Sequence, residues 1–286
     1  MEYALQIEHL DKSYSEFALK DICLQLPKGS IMGLIGENGA GKSTMMKAVL
    51  NLIQKDRGEI EILGRHMEED AGSLKEEIGV VFDEIHFHET LTPKRIGKIC
   101  ANAYKSWDMQ EYEGYLKRFN LPVEKEIKTF SKGMKVQLSL ATALSHHAKL
   151  LILDEATSGL DPVVRDEILD IFLDFVQDEE HSILVSSHIT SDLEKAADYI
   201  TFLHNGKILL SKSKDELIYH YGILRCGKEA FEQLEKEDIL AFRKMDYQYE
   251  VLVADRKAMQ KKYEKTVVDA ATLEEIMLLY IKGVTV

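Results

Sequence analysis

The sequence predicts an α/β fold: a core of buried strands alternating with helices, interrupted by a helical insertion and followed by a small α+β appendage. Three observations predict it. Ser30-Ile31-Met32-Gly33-Leu34-Ile35 is an apolar run of strand length, followed by a glycine-rich turn and the helix-forming stretch Met45-Met46-Lys47-Ala48-Val49-Leu50. Further short apolar runs recur at 78–82, 149–153 and 182–186, with helical patterns between them. From about 83 to 135, strand signals give way to helical spacing.

Each element follows from its local pattern. Tyr3, Leu5 and Ile7 alternate with Ala4, Gln6 and Glu8, the period of a half-buried strand. Ile22, Leu24 and Leu26 repeat it before the turn signal Pro27-Lys28-Gly29. After the glycine-rich turn and its helix come strand candidates at 59–64 and 78–82. The insertion is expected at about 84–135, where 96–101 and Tyr112, Tyr115, Leu116 and Phe119 carry helical spacing. Val164, Ile168, Ile171, Phe172 and Phe175 line one face of a helix that Pro162 opens. Residues 199–204 and 207–211 flank Asn205-Gly206, a two-residue hairpin signal. Beyond about 214, short strands are expected at 224–226, 239–243 and 249–253, and helices at 230–236 and 273–282. The expected domains are 1–214 and 215–286.

A chain of 286 residues buries a sizeable core. Its net charge of −13 argues against a generic nucleic-acid binder. No apolar stretch approaches the ~18 residues that span a bilayer, and residues 1–6 lack a basic segment leading into an apolar one, so no signal peptide is expected. Cys23, Cys100 and Cys226 are too scattered for a disulfide framework or a zinc site, which points to a reducing, cytoplasmic compartment.

The chemistry is concentrated in a few motifs. Gly36-Glu37-Asn38-Gly39-Ala40-Gly41-Lys42-Ser43-Thr44 is a phosphate-binding loop in its strand–turn–helix context. Its glycines let backbone N–H groups from Asn38 to Thr44 form an anion nest, with Lys42 reaching the β- and γ-phosphates and the Ser43 hydroxyl ligating Mg²⁺. The motif predicts a bound nucleoside triphosphate. Leu150-Leu151-Ile152-Leu153-Asp154-Glu155 is a buried strand ending in two acids: Asp154 suits Mg²⁺, and Glu155 is placed to orient or deprotonate an attacking water. Ser158-Gly159-Leu160-Asp161 follows, and Ser186-Ser187-His188 closes the next strand, where His188 can contact the γ-phosphate.

That series resembles the ATP-binding subunit of ATP-binding cassette (ABC) transporters over about residues 2–211. Residues 36–44 resemble the Walker A loop, 150–155 the Walker B strand with its catalytic glutamate, and 158–161 the D-loop. His188 is similar to the switch histidine, and Tyr14 to the aromatic that stacks on adenine. Phe130-Ser131-Lys132-Gly133-Met134-Lys135 occupies the signature position. The resemblance implies a P-loop NTPase ABC ATPase core with a helical subdomain and a small C-terminal α+β appendage, using ATP and Mg²⁺.

Two departures stand out. The usual Leu-Ser-Gly-Gly-Gln signature is Phe130 to Met134 here, keeping Ser131 and Gly133; this variant is familiar among ABC-2-type bacterial exporters. Lys132 adds a cation that either favours a phosphate or faces solvent. After residues 78–82 the family places a glutamine that meets Mg²⁺; the position here is Asp83, expected to keep that metal-sensing role, with Glu84 the neighbouring alternative. His86-Phe87-His88 and His146-His147 read as surface rather than metal sites.

The family mechanism implies that two ATPase domains close head to tail, each ATP lying between one copy's phosphate loop and the other's Ser131, Gly133 and Asp161. The second copy would be this chain or a related ATPase. Implied too is a separately encoded integral membrane permease, docked on about residues 83–104, with the chain peripheral on the inner face of the membrane. Residues 271–280 resemble the tail of bacterial drug- and peptide-exporter ATPases, so the expected cargo is a hydrophobic or amphipathic compound such as an antimicrobial peptide. A non-transport ATPase acting on ribosomes or DNA is the rival; the missing second ATPase domain, the missing coiled coils and the acidic charge count against it, and no nucleic-acid partner is expected. An ATP-binding scaffold is disfavoured by the presence of both Glu155 and His188.

Overall fold

The computed structural model describes residues 2–83, 87–264 and 266–285; Glu84 and His86 therefore lie outside the described residues. The chain divides into two compact units, Met1–Ile208 and Leu209–Val286.

The first unit opens on β1 (Tyr3–Ser13) and β2 (Ala18–Pro27), then β3 (Ile31–Ile35), which runs into α1 (Lys42–Val49). Next come β4 (Arg57–Ile62), β5 (Arg65–His66), α2 (Ala71–Glu76) and β6 (Ile78–Val81). Three helices follow, α3 (Pro93–Ala103), α4 (Met109–Arg118) and α5 (Lys132–Leu144). The core resumes with β7 (Leu150–Asp154), α6 (Pro162–Phe175), β8 (Ser182–Ser187), α7 (Thr190–Ala196) and β9 (Tyr199–His204). Asn205-Gly206 then turns the chain into β10 (Lys207–Ser213), within which it passes from the first unit to the second.

Two sheets form. The antiparallel order is β2-β1-β4-β5, and the larger sheet runs β10-β9-β3-β8-β7-β6. In the larger sheet β6, β7, β8, β3 and β9 pair in parallel. Strands β3, β7 and β8 are buried along their whole length, which explains why they read as continuous apolar runs rather than alternating ones. One core joins the sheets: Leu5, Ile22 and Ile60 from the smaller, Leu34, Ile152 and Leu184 from the larger, with Met45 and Met46 of α1 among them. Because β3, β7 and β8 are parallel, their carboxyl ends share one edge, where ligands of open α/β sheets bind.

The helices between β6 and β7 are individually capped. Thr92 caps α3, Asp108 accepts from the Gln110 and Glu111 amides at α4, and Ser131 accepts from the Met134 amide at α5. Tyr112, fully buried, lies against Gly97 of α3 and donates from its hydroxyl to the Pro93 carbonyl at 3.0 Å. His146 corrects an expectation: it is buried, not at the surface. Its ring stacks on Tyr104 at 4.3 Å, and its Nδ1 lies 2.9 Å from the Glu76 carbonyl. His147 is exposed.

The second unit carries α8 (Lys214–Tyr219), β11 (Gly222–Cys226), α9 (Lys228–Phe231), β12 (Ala241–Lys244) and β13 (Tyr249–Val253). It ends with α10 (Arg256–Lys262), β14 (Val267–Ala270), α11 (Leu273–Lys282) and β15 (Val284–Thr285). The sheet order is β14-β11-β13-β12-β15, antiparallel throughout. The helix expected over 230–236 is instead the short α9, followed by an extended Glu235 and one 3₁₀ turn at Lys236–Asp238. Phe231 and Leu234, whose spacing suggests a helix, both pack on the sheet's apolar face, which the chain meets by turning away at Glu235.

Candidate active site

The phosphate loop leaves β3 at Gly36. Gly39 and Gly41 have φ of +85° and +112°, conformations that side chains strongly disfavour, so glycine is required for the turn. The Tyr14 to Phe17 turn, closed by the Tyr14 amide donating to the Phe17 carbonyl at 2.7 Å, brings the Phe17 ring against Gly41 and leaves Tyr14 half-exposed. Helix α1 starts at Lys42 with no side-chain cap, so its first amides face the loop's mouth. Asn38, Gly39 and Ser43 are exposed, Thr44 is half-buried and Ala40 is buried. Lys42 is buried; its Nζ donates to the Gly36 carbonyl at 2.7 Å and stands 3.3 Å from Glu155 Oε1.

The two acids are held by the adjacent strand. Asp154 is paired in register with Ser186, whose hydroxyl donates to Asp154 Oδ1 at 2.6 Å and accepts from the Glu155 amide at 3.0 Å. Glu155 has φ of +52°, rare for a residue with a side chain and a form of strain that clusters at functional sites. This backbone turns its carboxylate between Lys42 and His188, whose Nδ1 lies 2.6 Å from Oε2. Lys42 at the start of α1, Glu155 after β7 and His188 after β8 are thus one cluster, to which Asp154 is tied through Ser186. Ser186 is the residue the motif reading missed. Its only sequence signal is its place two residues before His188.

The other expected site residues make contacts of their own. Ser131 and Asp161 serve as helix caps, Asp161 accepting from the Val163 and Val164 amides at 3.1 Å. A side chain at Gly133 would meet nothing closer than Val164 at 3.7 Å, so no crowding inside the chain demands glycine there. Asp83 is exposed and accepts from Lys132 Nζ at 2.8 Å. Among the described residues, no hydrogen bond links Ser131, Asp161 or Asp83 to the Lys42–Glu155 cluster. A cavity of about 610 Å³ lined by Glu111, Arg118, His147, Phe175 and His181 holds none of the cluster, of which His188 alone is exposed.

Comparison with known proteins agrees with this geometry. Residues 19–158 match the family model described as ABC transporter. Over 247 residues the chain is 35% identical to the lantibiotic transport ATP-binding protein of Streptococcus pyogenes, covering 82% of this chain and 97% of that one. The chain belongs to the ABC transporter family. It is also 34% identical over 220 residues to the bacitracin transport ATP-binding protein of Enterococcus faecalis, covering 76% and 71%. A solved ATP binding subunit of an ABC transporter matches with a TM-score of 0.66 at 28% identity, covering 75% of this chain and 91% of that one. The P-loop ABC ATPase fold expected from the sequence is therefore the fold observed, and the chain is an ATP-binding, ATP-hydrolysing transporter subunit. Among the described residues no helix is long and apolar enough to cross a membrane.

Proposed function

We propose that this ABC transporter subunit hydrolyses ATP at the ends of β3, β7 and β8 to drive export of an antimicrobial peptide or similar amphipathic compound. The observation that carries the catalytic half is Glu155, fixed in a left-handed backbone between Lys42 and His188. Kinship with bacitracin and lantibiotic transport proteins supports the cargo class. Lys42 offsets charge on the β- and γ-phosphates. Glu155 takes the proton of the attacking water as general base, and His188 holds that carboxylate and the γ-phosphate in line. Ser43 and Asp154 offer an all-oxygen donor set that suits Mg²⁺, which when bound neutralises charge on the phosphates. Tyr14, half-exposed on the turn that sets Phe17 against Gly41, is the adenine platform.

A second copy, or a related ATPase, completes each site by presenting Ser131, Gly133 and Asp161 to the ATP; the room around Gly133 supports a backbone free for close approach. Residues 1–214 form the ATPase domain and 215–286 an accessory domain. The permease is a separate integral membrane protein docked near α3, holding this chain to the cytoplasmic face of the membrane. The ribosome or DNA reading draws no support from the relatives.

The test is Glu155→Gln, which keeps shape and removes the base. ATP turnover is expected to fall by about 10²–10⁴ with ATP binding retained, and host cells should lose resistance to bacitracin-like or lantibiotic peptides. Undiminished turnover would remove Glu155 from its role. Abolished turnover with unchanged peptide resistance would overturn the cargo and spare the ATPase.

A further inference from the structure

Two of the charged positions at which the chain departs from its family's pattern are 49 residues apart in sequence and in contact in the fold: Lys132 Nζ donates to Asp83 Oδ1 at 2.8 Å. Asp83 follows β6, beside the strand that carries Asp154 and Glu155. Lys132 is the first residue of α5, where a cation faces the positive end of the helix and no acid stands in the first turn. Asp83 supplies the anion that the helix itself lacks. Lys132 also runs past the loop after Glu155: a Cβ on Gly159 would stand 3.7 Å from its Nζ and 3.8 Å from its Cδ.

Both side chains of the pair are about half-exposed, at 47% and 50%. Ion pairs in that setting contribute little to stability and are readily exchanged for a stronger partner. A triphosphate is such a partner, with more charge and more acceptor oxygens than one carboxylate.

We propose that Asp83 and Lys132 form an exchangeable ion pair that couples the two ATP sites of a closed dimer. The inference rests on the composite-site reading above and deepens it. Lys132 stands at the helix end that meets the γ-phosphate of an ATP held by the second copy. Asp83 stands at the strand edge that borders the ATP of its own chain. When the partner's ATP draws the Lys132 ammonium away, the Asp83 carboxylate is released toward its own site, so that filling one site prepares the other. No covalent bond changes; one ammonium exchanges one anion for another. The paired departures from glutamine and glycine are, on this account, one substitution made in two places.

The test is a double-mutant cycle in the Glu155→Gln protein, which holds ATP without turning it over. Dimerisation is followed by sedimentation velocity against ATP with Mg²⁺ and ATP with EDTA. Asp83→Asn frees Lys132 and is expected to lower the ATP concentration for half-dimerisation roughly threefold. Lys132→Gln is expected to raise it about fivefold or more. In the double variant the gain from Asp83→Asn should vanish, because no ammonium remains to be freed. A pair acting only as a structural brace would weaken dimerisation in both single variants, which would overturn the coupling. A gain from Asp83→Asn that persists without Lys132 would trace to simple repulsion from ATP and overturn it too. If the protein with the native pair forms no ATP-driven dimer at all, both the coupling and the composite-site reading fall. A dimer with additive variants removes the coupling alone.

Discussion

Asp154 and Glu155 are neighbours in the chain with different surroundings, and one hydroxyl keeps them apart. Ser186 Oγ donates to the Asp154 carboxylate and accepts the Glu155 amide, so it fixes the end of β7 just where the backbone turns left-handed. Ser186→Ala leaves a buried carboxylate oxygen short of a partner and leaves the Glu155 amide only its longer bond to the Ser186 carbonyl, at 3.2 Å. It is expected to cost about 1–3 kcal/mol of stability, read as a lower melting temperature. Because the Glu155 carboxylate would lose its aim rather than its identity, kcat should fall about tenfold or more with KM for ATP little changed. A variant that melts lower yet keeps its kcat would confine Ser186 to a structural role. The identities of Lys42, Asp154, Glu155 and His188 were legible because each sits in a motif with fixed spacing. The part played by Ser186 was not, since it depends on the register that sets Asp154 opposite residue 186, and no local pattern encodes a register between parallel strands.

At the level of elements, the end of α5 shows how burial hides from sequence. Two adjacent histidines after a helix look solvated, yet Tyr104 from the end of α3 and the Glu76 carbonyl from α2 enclose His146. Helices as short as α2 and α7 leave too few turns for a period to show, so neither was expected. Burial pushes the His146 imidazole below its ordinary range, outweighing the hydrogen bond to Glu76, which acts in the opposite direction. The unfolded chain therefore takes up a proton near pH ~6.5 that the folded chain refuses. This contribution to stability is complete above that pH and is lost as pH falls toward the lowered folded value. Thermal unfolding between pH 7.5 and 5.5, roughly spanning that window, should show the melting temperature dropping on acidification. His146→Phe, which keeps an aromatic partner for Tyr104 but cannot titrate, should flatten the slope. An unaltered slope would assign the acid sensitivity to other groups.

Across the whole molecule, the first unit was the more legible because its central strands β3, β7 and β8 are buried on both faces and its motifs recur in a known order. The sheet order β10-β9-β3-β8-β7-β6 was not, since each neighbour is a choice among distant segments. In the second unit the problem is sharper: β14 and β15 have four residues and two, too few for alternation to register. Charge rather than apolar pattern organises much of that sheet. Arg225 on β11 reaches Glu250 on β13 at 3.3 Å, Asp269 on β14 at 2.8 Å and Glu275 on α11 at 2.8 Å, and Arg243 on β12 meets Glu250 from the other side at 2.9 Å. Glu275 also closes the capping box with Thr272 that starts α11. A single exposed pair would contribute under ~1 kcal/mol, but one guanidinium shared by three carboxylates is a network whose removal leaves like charges facing one another. Arg225→Ala is therefore expected to cost about 1–2 kcal/mol. Hydrogen exchange is the direct measurement: protection should fall in β11, β13, β14 and α11 and hold in β3, β7 and β8. Unchanged protection in α11 would show that its capping box and the apolar contacts of Leu273, Ile276 and Leu279 suffice without the arginine.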